Sequence, residues 1–338
     1  MKILDKHFFS LKMDCLAFMS FIPICLLFYF FFETTLFSLP KQPPIWFFIL
    51  GWTLVDGSHV YSTFLVSYAD ESMFTKLKTV FLGVPLALLV SGFLFQYSGD
   101  PTYFYYFLAY LAMIHFIRQE YGWMKIATHF DSSSPKWLKH LDITTSYAMT
   151  ILPMLWYTRK TEKAFWYQSG DLVSTPDFLS SISLPLFWFV VMVFLCANAF
   201  HIYKTRTINI SKCLVFINTF FGWYVSRVFV QNTYLAVWLS IFHHGLPYYF
   251  LVFKAERVSR KIKILESIGN YKYPLMYLSC AAVFYLFLHA HSGNHFVQKL
   301  EENVVLKSVI YAIAVMPQMT HFILDAFVWK KKYGLQKL

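Results

Sequence analysis

The sequence predicts an all-α, polytopic membrane protein of about ten transmembrane helices with both termini cytoplasmic. Three observations predict it. Of 338 residues, 57% are hydrophobic and only 14% charged, where soluble domains carry roughly a quarter charged; the mean hydropathy is +0.49. Apolar stretches close to the ~20 residues that cross a bilayer as a helix recur along the whole chain. Lysines and arginines are sorted between alternate connecting segments.

Taken in order, the predicted spans fall at 16–37, 44–68, 77–97, 102–127, 141–158, 181–204, 212–230, 233–253, 273–290 and 306–329. The first run exceeds a signal-peptide core and lacks a small-residue cleavage pattern after it, so it is expected to be an anchor. The longest polar stretches, 159–180, 254–272 and 291–305, are too short to fold alone. A single transmembrane helical domain over 1–338 is therefore expected, with no separate soluble domain.

Segments placed inside hold Lys2, Lys6 and Lys12, then Lys76 and Lys78, then Lys125, Lys136 and Lys139, then Lys204, Arg206 and Lys212. A basic stretch from Lys254 to Lys272 and the final Lys330, Lys331, Lys332 and Lys337 complete the set. Outside segments hold far fewer, among them Lys41, Arg159 and Lys299. That bias sets the orientation. It also accounts for the net charge of +11 as a topology signal rather than a nucleic-acid surface. Five cysteines show no CxxC pair or zinc-finger spacing. The lack of an appended domain favours a bacterial inner membrane over the endoplasmic reticulum.

Ionisable residues inside a membrane are costly and mark sites. In this topology Asp56 and His59 lie in the second span, His115 and Gln119 in the fourth, His243 and His244 in the eighth, and His321 and Asp325 in the tenth. His59, His243, His244 and His321 each fall roughly 13 Å from the inner end of their span, at 1.5 Å rise per residue, and His115 lies in the inner half of its own. Separate helices therefore present histidines in one slab of the cytoplasmic half. His59 with Asp56, and His321 with Asp325, share helix faces. Each carboxylate can ligate, act as a base, or orient its imidazole.

Gln119 shares a face with His115 and Gln318 with His321, so both are supporting candidates. His201, near the inner end of the sixth span, and His140, in the inner loop between the fourth and fifth spans, are further ones. Adjacent His243 and His244 differ by about 100° on a regular helix. Pro247 removes the hydrogen bond back to His243 and is expected to open the helix there, turning both rings inward. A lone membrane histidine is as often a structural donor to a neighbouring backbone; the shared depth favours a metal site.

Imidazole with carboxylate suits iron, zinc or manganese, and the absence of positioned thiolates argues against iron–sulfur and thiolate copper. The motifs His243-His244, Asp56-Gly-Ser-His59, His115-Phe-Ile-Arg-Gln119 and His321-Phe-Ile-Leu-Asp325 resemble the histidine-rich sites of integral-membrane di-iron oxygenases, the desaturase and hydroxylase class. The HxxxH and HxxHH boxes of the desaturases are absent, so the resemblance covers architecture and ligand type. It implies an O2-activating oxidoreductase acting on a lipid or other apolar substrate, served by an electron-donor protein. Iron, as one or two ions, is the expected cofactor, with zinc the alternative. His59, His115, His243, His244 and His321 are the expected ligands, and Asp56, Asp325 and Tyr248 the expected catalytic groups. Two other readings stand beside it. One is a zinc hydrolase of a lipid amide or ester; the other is a proton-coupled transporter using the intramembrane Asp–His pairs.

Overall fold

The computed structural model describes residues 2–4, 6–33, 55–68, 71–99, 102–159, 171–230, 233–254 and 303–328. Its elements are β1 (Lys2–Ile3), α1 (Leu11–Met19), α2 (Phe21–Glu33), α3 (Ser58–Ser67), α4 (Glu71–Tyr97), α5 (Thr102–Phe130), α6 (Lys136–Tyr157) and α7 (Asp177–Thr205). There follow β2 (Thr207–Ile208), α8 (Ile210–Thr219), a π-helical segment (Phe220–Phe229), α9 (Thr233–Lys254) and α10 (Val304–Val328). The all-α expectation holds, β1 and β2 forming only a two-residue parallel pair.

Three described helices are long and apolar enough to cross a membrane: Met73–Tyr97, Asp177–Thr205 and Val304–Val328. The expectation of about ten such helices is not supported. Helices α5, α6 and α9 are long, but they carry Arg118, Glu120 and Lys125, then Lys136, Lys139 and Asp142, then His243 and His244, which lower their hydropathy. The first span is divided between α1 and α2, and the seventh between α8 and the π-helical segment. The second is described only from residue 55, and the ninth, 273–290, lies outside the described residues.

The chain divides into two compact units, each assembled from two stretches: residues 1–42 with 116–247, and 43–115 with 248–338. In the unit containing 43–115, α4 packs along α10, and α3 packs on α10. At Gly92 helices α4 and α10 are close, and an added Cβ would sit in ordinary contact with the Ala312 backbone at 3.5 Å. Met73, Leu77, Phe81, Tyr248, Leu324 and Val328 form the adjoining core.

In the other unit, α6 packs on α7 and on the π-helical segment, burying Met149, Leu152, Phe187, Val191 and Tyr224. Helix α7 shows the polarity of a lipid-facing element. Phe178, Phe189 and Phe200 are 67%, 65% and 62% exposed, while Ser183, Asn198 and His201 are buried on the opposite side. Such an exposed apolar face fits contact with an apolar medium rather than water.

Polar residues tie this unit together. Asp14 accepts from the Phe8 and Phe9 amides at 3.1 and 2.9 Å and from Ser211 Oγ at 3.1 Å, joining the amino-terminal segment to α8. Lys212 Nζ donates to Asp142 Oδ2 at 3.0 Å and to Asn198 Oδ1 at 2.6 Å, and Asn198 Nδ2 donates to Asp142 Oδ1 at 3.1 Å. Asn209 caps α8 through its carbonyl oxygen, 3.0 Å from the Lys212 amide, and donates to the Ala127 carbonyl at 2.7 Å. Arg206, left-handed at φ 57°, closes α7 by donating its amide to the Ile202 carbonyl at 2.7 Å.

Past the end of α5, Asp131 accepts from the amide and hydroxyl of Ser133 (2.9 and 2.6 Å), the hydroxyl of Ser134 (2.8 Å) and His201 Nε2 (3.2 Å). Burial pushes its carboxyl up, but the bonds from Ser133, Ser134 and His201 outweigh it and hold the pKa down at about 2.

Two outcomes are expected. Asp142→Ala strands the Lys212 ammonium in a buried setting, at a cost of about 3–5 kcal/mol. The melting temperature of the detergent-solubilised protein falls sharply, and an added Lys212→Met recovers most of the loss. Asp131 has a depressed folded pKa, so its contribution is fully present above the ordinary value of 3.8 and disappears as pH falls towards 2. Acid titration of stability in Asp131→Asn therefore lacks the part of the wild-type loss that occurs in that window.

Candidate metal centre

Helix α3 starts directly after a π turn at residues 55–57, and that turn places His59 and Thr63 on successive turns of one face. Helix α10 does the same with His321 and Asp325. His115 comes from α5 and Tyr248 from α9. All six belong to the unit formed by 43–115 and 248–338.

The three imidazoles converge through their Nε2 atoms. His321 Nε2 lies 2.6 Å from His59 Nε2 and 3.2 Å from His115 Nε2. All three residues are buried, with exposures of 0%, 1% and 4%, and they belong to a group of histidines whose ligand atoms lie within 4.8 Å of one another and could hold a metal ion.

The protons behind the rings explain what faces the middle. Asp325 Oδ1 accepts from Tyr248 Oη at 2.8 Å and from Thr63 Oγ1 at 3.0 Å. Thr63 also meets Tyr248 Oη and His321 Nδ1, each at 2.6 Å. A threonine hydroxyl has one proton. With it directed at Asp325 or Tyr248, the contact to His321 requires Nδ1–H to donate. His321 Nε2 is then an unprotonated lone pair aimed at two further ring nitrogens. The Asp325 carboxylate stands behind it, 3.6 Å from His321 Nδ1 and 4.0 Å from His115 Nδ1. His115 is also hydrogen-bonded to the backbone of Phe322, and His59 stacks on Tyr248 with ring centroids 4.4 Å apart.

This donor set suits a metal. Ligand nitrogens on one tetrahedral zinc ion, at bond lengths near 2.0–2.1 Å, sit about 3.3 Å apart; the His321–His115 separation of 3.2 Å matches this, and the His321–His59 separation of 2.6 Å is shorter. A carboxylate and hydroxyls holding the far ring nitrogen are the usual outer support of metal-bound histidine.

Asp56 sits in the π turn, and its recorded contact is a long one, 3.4 Å from Gln318 Nε2. Gln119 serves a different purpose from the one its spacing with His115 suggests: its Nε2 donates to the His244 carbonyl at 2.9 Å. His140 lies within α6 rather than in a loop. It is exposed and donates from Nδ1 to the Lys136 carbonyl at 2.7 Å. His201 is buried against Asp131 and Ser134 in its own unit.

His243 and His244 belong to the unit formed by 1–42 and 116–247. Helix α9 is not opened by Pro247; it runs unbroken from Thr233 to Lys254. The carbonyl that Pro247 cannot serve is taken by Asn218 Nδ2, 3.2 Å from the His243 oxygen. A side chain from α8 thus repairs the helix and removes the need for it to bend. The two rings diverge, with centroids 6.4 Å apart and planes at 54°. His244 packs on Phe116, centroids 3.9 Å apart. His243 turns towards Glu120, its Nε2 3.5 Å from Oε1.

Thr63 and Glu120 were missed by spacing alone. Thr63 lies one turn after His59 on the same face, a signal hidden because a threonine in an apolar run reads as filler. Glu120 reads as one half of an ion pair with Arg118. No protein-family model, curated protein or solved structure matches the chain.

Thr63→Val removes the group that aims His321 while leaving every ring nitrogen in place. Metal affinity, measured by competition with graded chelators, is expected to fall about 10–100-fold, with Thr63→Ser close to wild type.

Proposed function

We propose that the protein is a metal-dependent membrane enzyme that oxidises a lipid or another apolar substrate. The single observation that carries this reading is the buried convergence of three imidazole nitrogens, with a carboxylate and two hydroxyls behind them. His59, His115 and His321 are the proposed ligands. A metal ion bound there supplies O2 activation.

The chain's own groups do the rest. Asp325, through Thr63, keeps the proton of His321 on Nδ1. Tyr248 holds a proton directed at Asp325, and its ring stacks on His59. Helices with lipid-facing apolar surfaces let the substrate arrive from the bilayer. A hydroxylation consumes O2, two electrons and two protons, so a redox partner supplies the electrons. We further read the chain as multi-pass with cytoplasmic termini, in a bacterial inner membrane.

The count of convergent nitrogens also favours a second reading. Three protein ligands with a nearby carboxylate is the usual provision of a hydrolytic zinc site, where Asp325 acts as general base towards a bound water.

Metal analysis of the detergent-purified protein separates the readings. Iron, with lipid-dependent O2 uptake abolished by His321→Ala, is the expected result for the oxidoreductase. Stoichiometric zinc with oxygen-independent cleavage of a lipid amide or ester assigns hydrolysis instead. Absence of iron, zinc and manganese after anaerobic reconstitution rejects both.

A further inference from the structure

His243 Nε2 and Glu120 Oε1 face one another at 3.5 Å without a hydrogen bond between them. His243 Nδ1 lies 2.9 Å from the Leu239 carbonyl. A carbonyl can only accept, so the ring proton is on Nδ1 and Nε2 carries a bare lone pair. That lone pair points at Glu120 Oε1, 3.5 Å away. Charge-assisted hydrogen bonds of this type close to about 2.7–2.9 Å. Both atoms are fully enclosed and neither has a hydrogen-bond partner, and both residues are 1% exposed.

Enclosed at this separation with no hydrogen bond between them, the two atoms leave room for a cation bound by both. Their spacing matches a cation: an imidazole nitrogen and a carboxylate oxygen on one zinc-like ion, each bound at 2.0–2.2 Å, stand about 3–3.5 Å apart.

The surroundings hold both groups in place. Thr219 Oγ1 donates to Glu120 Oε2 at 2.6 Å, leaving Oε1 as the free oxygen. The ring of His243 lies so close to Gly222 that a Cβ there would stand 2.2 Å from Cγ and Cδ2, so the π-helical segment fixes its plane. Asn218 spends its amide on the His243 carbonyl, and its Oδ1 is buried without a partner. Arg227, the cation whose charge reaches His243, donates to Ser240 Oγ at 2.8 Å and lies over the Tyr157 ring at 4.8 Å.

We infer that His243 Nε2 and Glu120 Oε1 are ligands of a second metal site, for a divalent transition-metal ion. It rests on different atoms from the site of the proposed function and stands or falls separately.

The test counts metal in the full-length protein in detergent, stripped with chelator and reloaded with zinc alone. Glu120→Gln keeps the size of the side chain and its bond to Thr219; it and His243→Ala are each expected to lose about one equivalent of zinc per chain. Gly222→Ala, which alters no ligand but displaces the ring, loses the same equivalent or binds it more weakly. His59→Ala is expected to lose a different equivalent, so that the losses add in the Glu120→Gln, His59→Ala double variant. Full zinc content in Glu120→Gln and Gly222→Ala overturns the second site, and a loss confined to His59→Ala does so while leaving the proposed function standing. Loss confined to Glu120→Gln has the opposite meaning, supporting this site and removing the other. Should His243→Ala fail to fold, Glu120→Gln decides.

Discussion

An imidazole whose N–H is spent on one side presents a naked lone pair on the other, and away from water that lone pair must meet something positive. Much of this fold is arranged around that constraint. In one unit, Asp325, Tyr248 and Thr63 settle the proton of His321 on Nδ1. In the other, the Leu239 carbonyl settles that of His243 on the same atom. In both cases Nε2 is left as a lone pair facing other nitrogen or oxygen atoms. The devices differ: one is a relay of side chains from separate helices, the other a backbone oxygen one turn away. The second needs no partner helix and is the more rigid for it.

Enclosing so many polar groups demands that each be answered locally. The Asp142–Lys212–Asn198 cluster and the Asp131 cluster do so with nearly every lone pair and proton matched. Outside them, α7 presents phenylalanines to its surroundings while its serines, Asn198 and His201 turn inward. That inversion of the soluble pattern is why composition reported a membrane protein so readily. It is also why counting apolar windows overshot: helices that carry the internal networks are long but not apolar.

Particular residues show what the sequence could convey. The spacing of His321 and Asp325 placed them on one face, and the carboxylate stands behind the ring as that spacing implies. His59 and His115 were legible from depth alone. Thr63 was not, because its importance lies in having one proton and three neighbours, a fact of three-dimensional geometry. Pro247 misled for a related reason. Proline removes a donor in any helix, but whether the helix kinks depends on what replaces that donor, and Asn218 lies far away in sequence. His243 and His244 are neighbours in the chain yet answer to different partners, since rings on consecutive helical positions point in different directions.

The division of the chain has a consequence for biosynthesis. Each unit is built from two stretches that alternate along the sequence. Strand β1, at the very start, pairs with Thr207–Ile208, and Asp14 waits for Ser211. During translation the first helices therefore emerge with their partners still unmade, and part of the chain between them, residues 43–115, belongs to the other unit. Contacts of such long sequence separation close slowly. Asp14 and strand β1 therefore wait for Ser211, Thr207 and Ile208, whereas Phe8 and Phe18 meet Trp123 much earlier in synthesis.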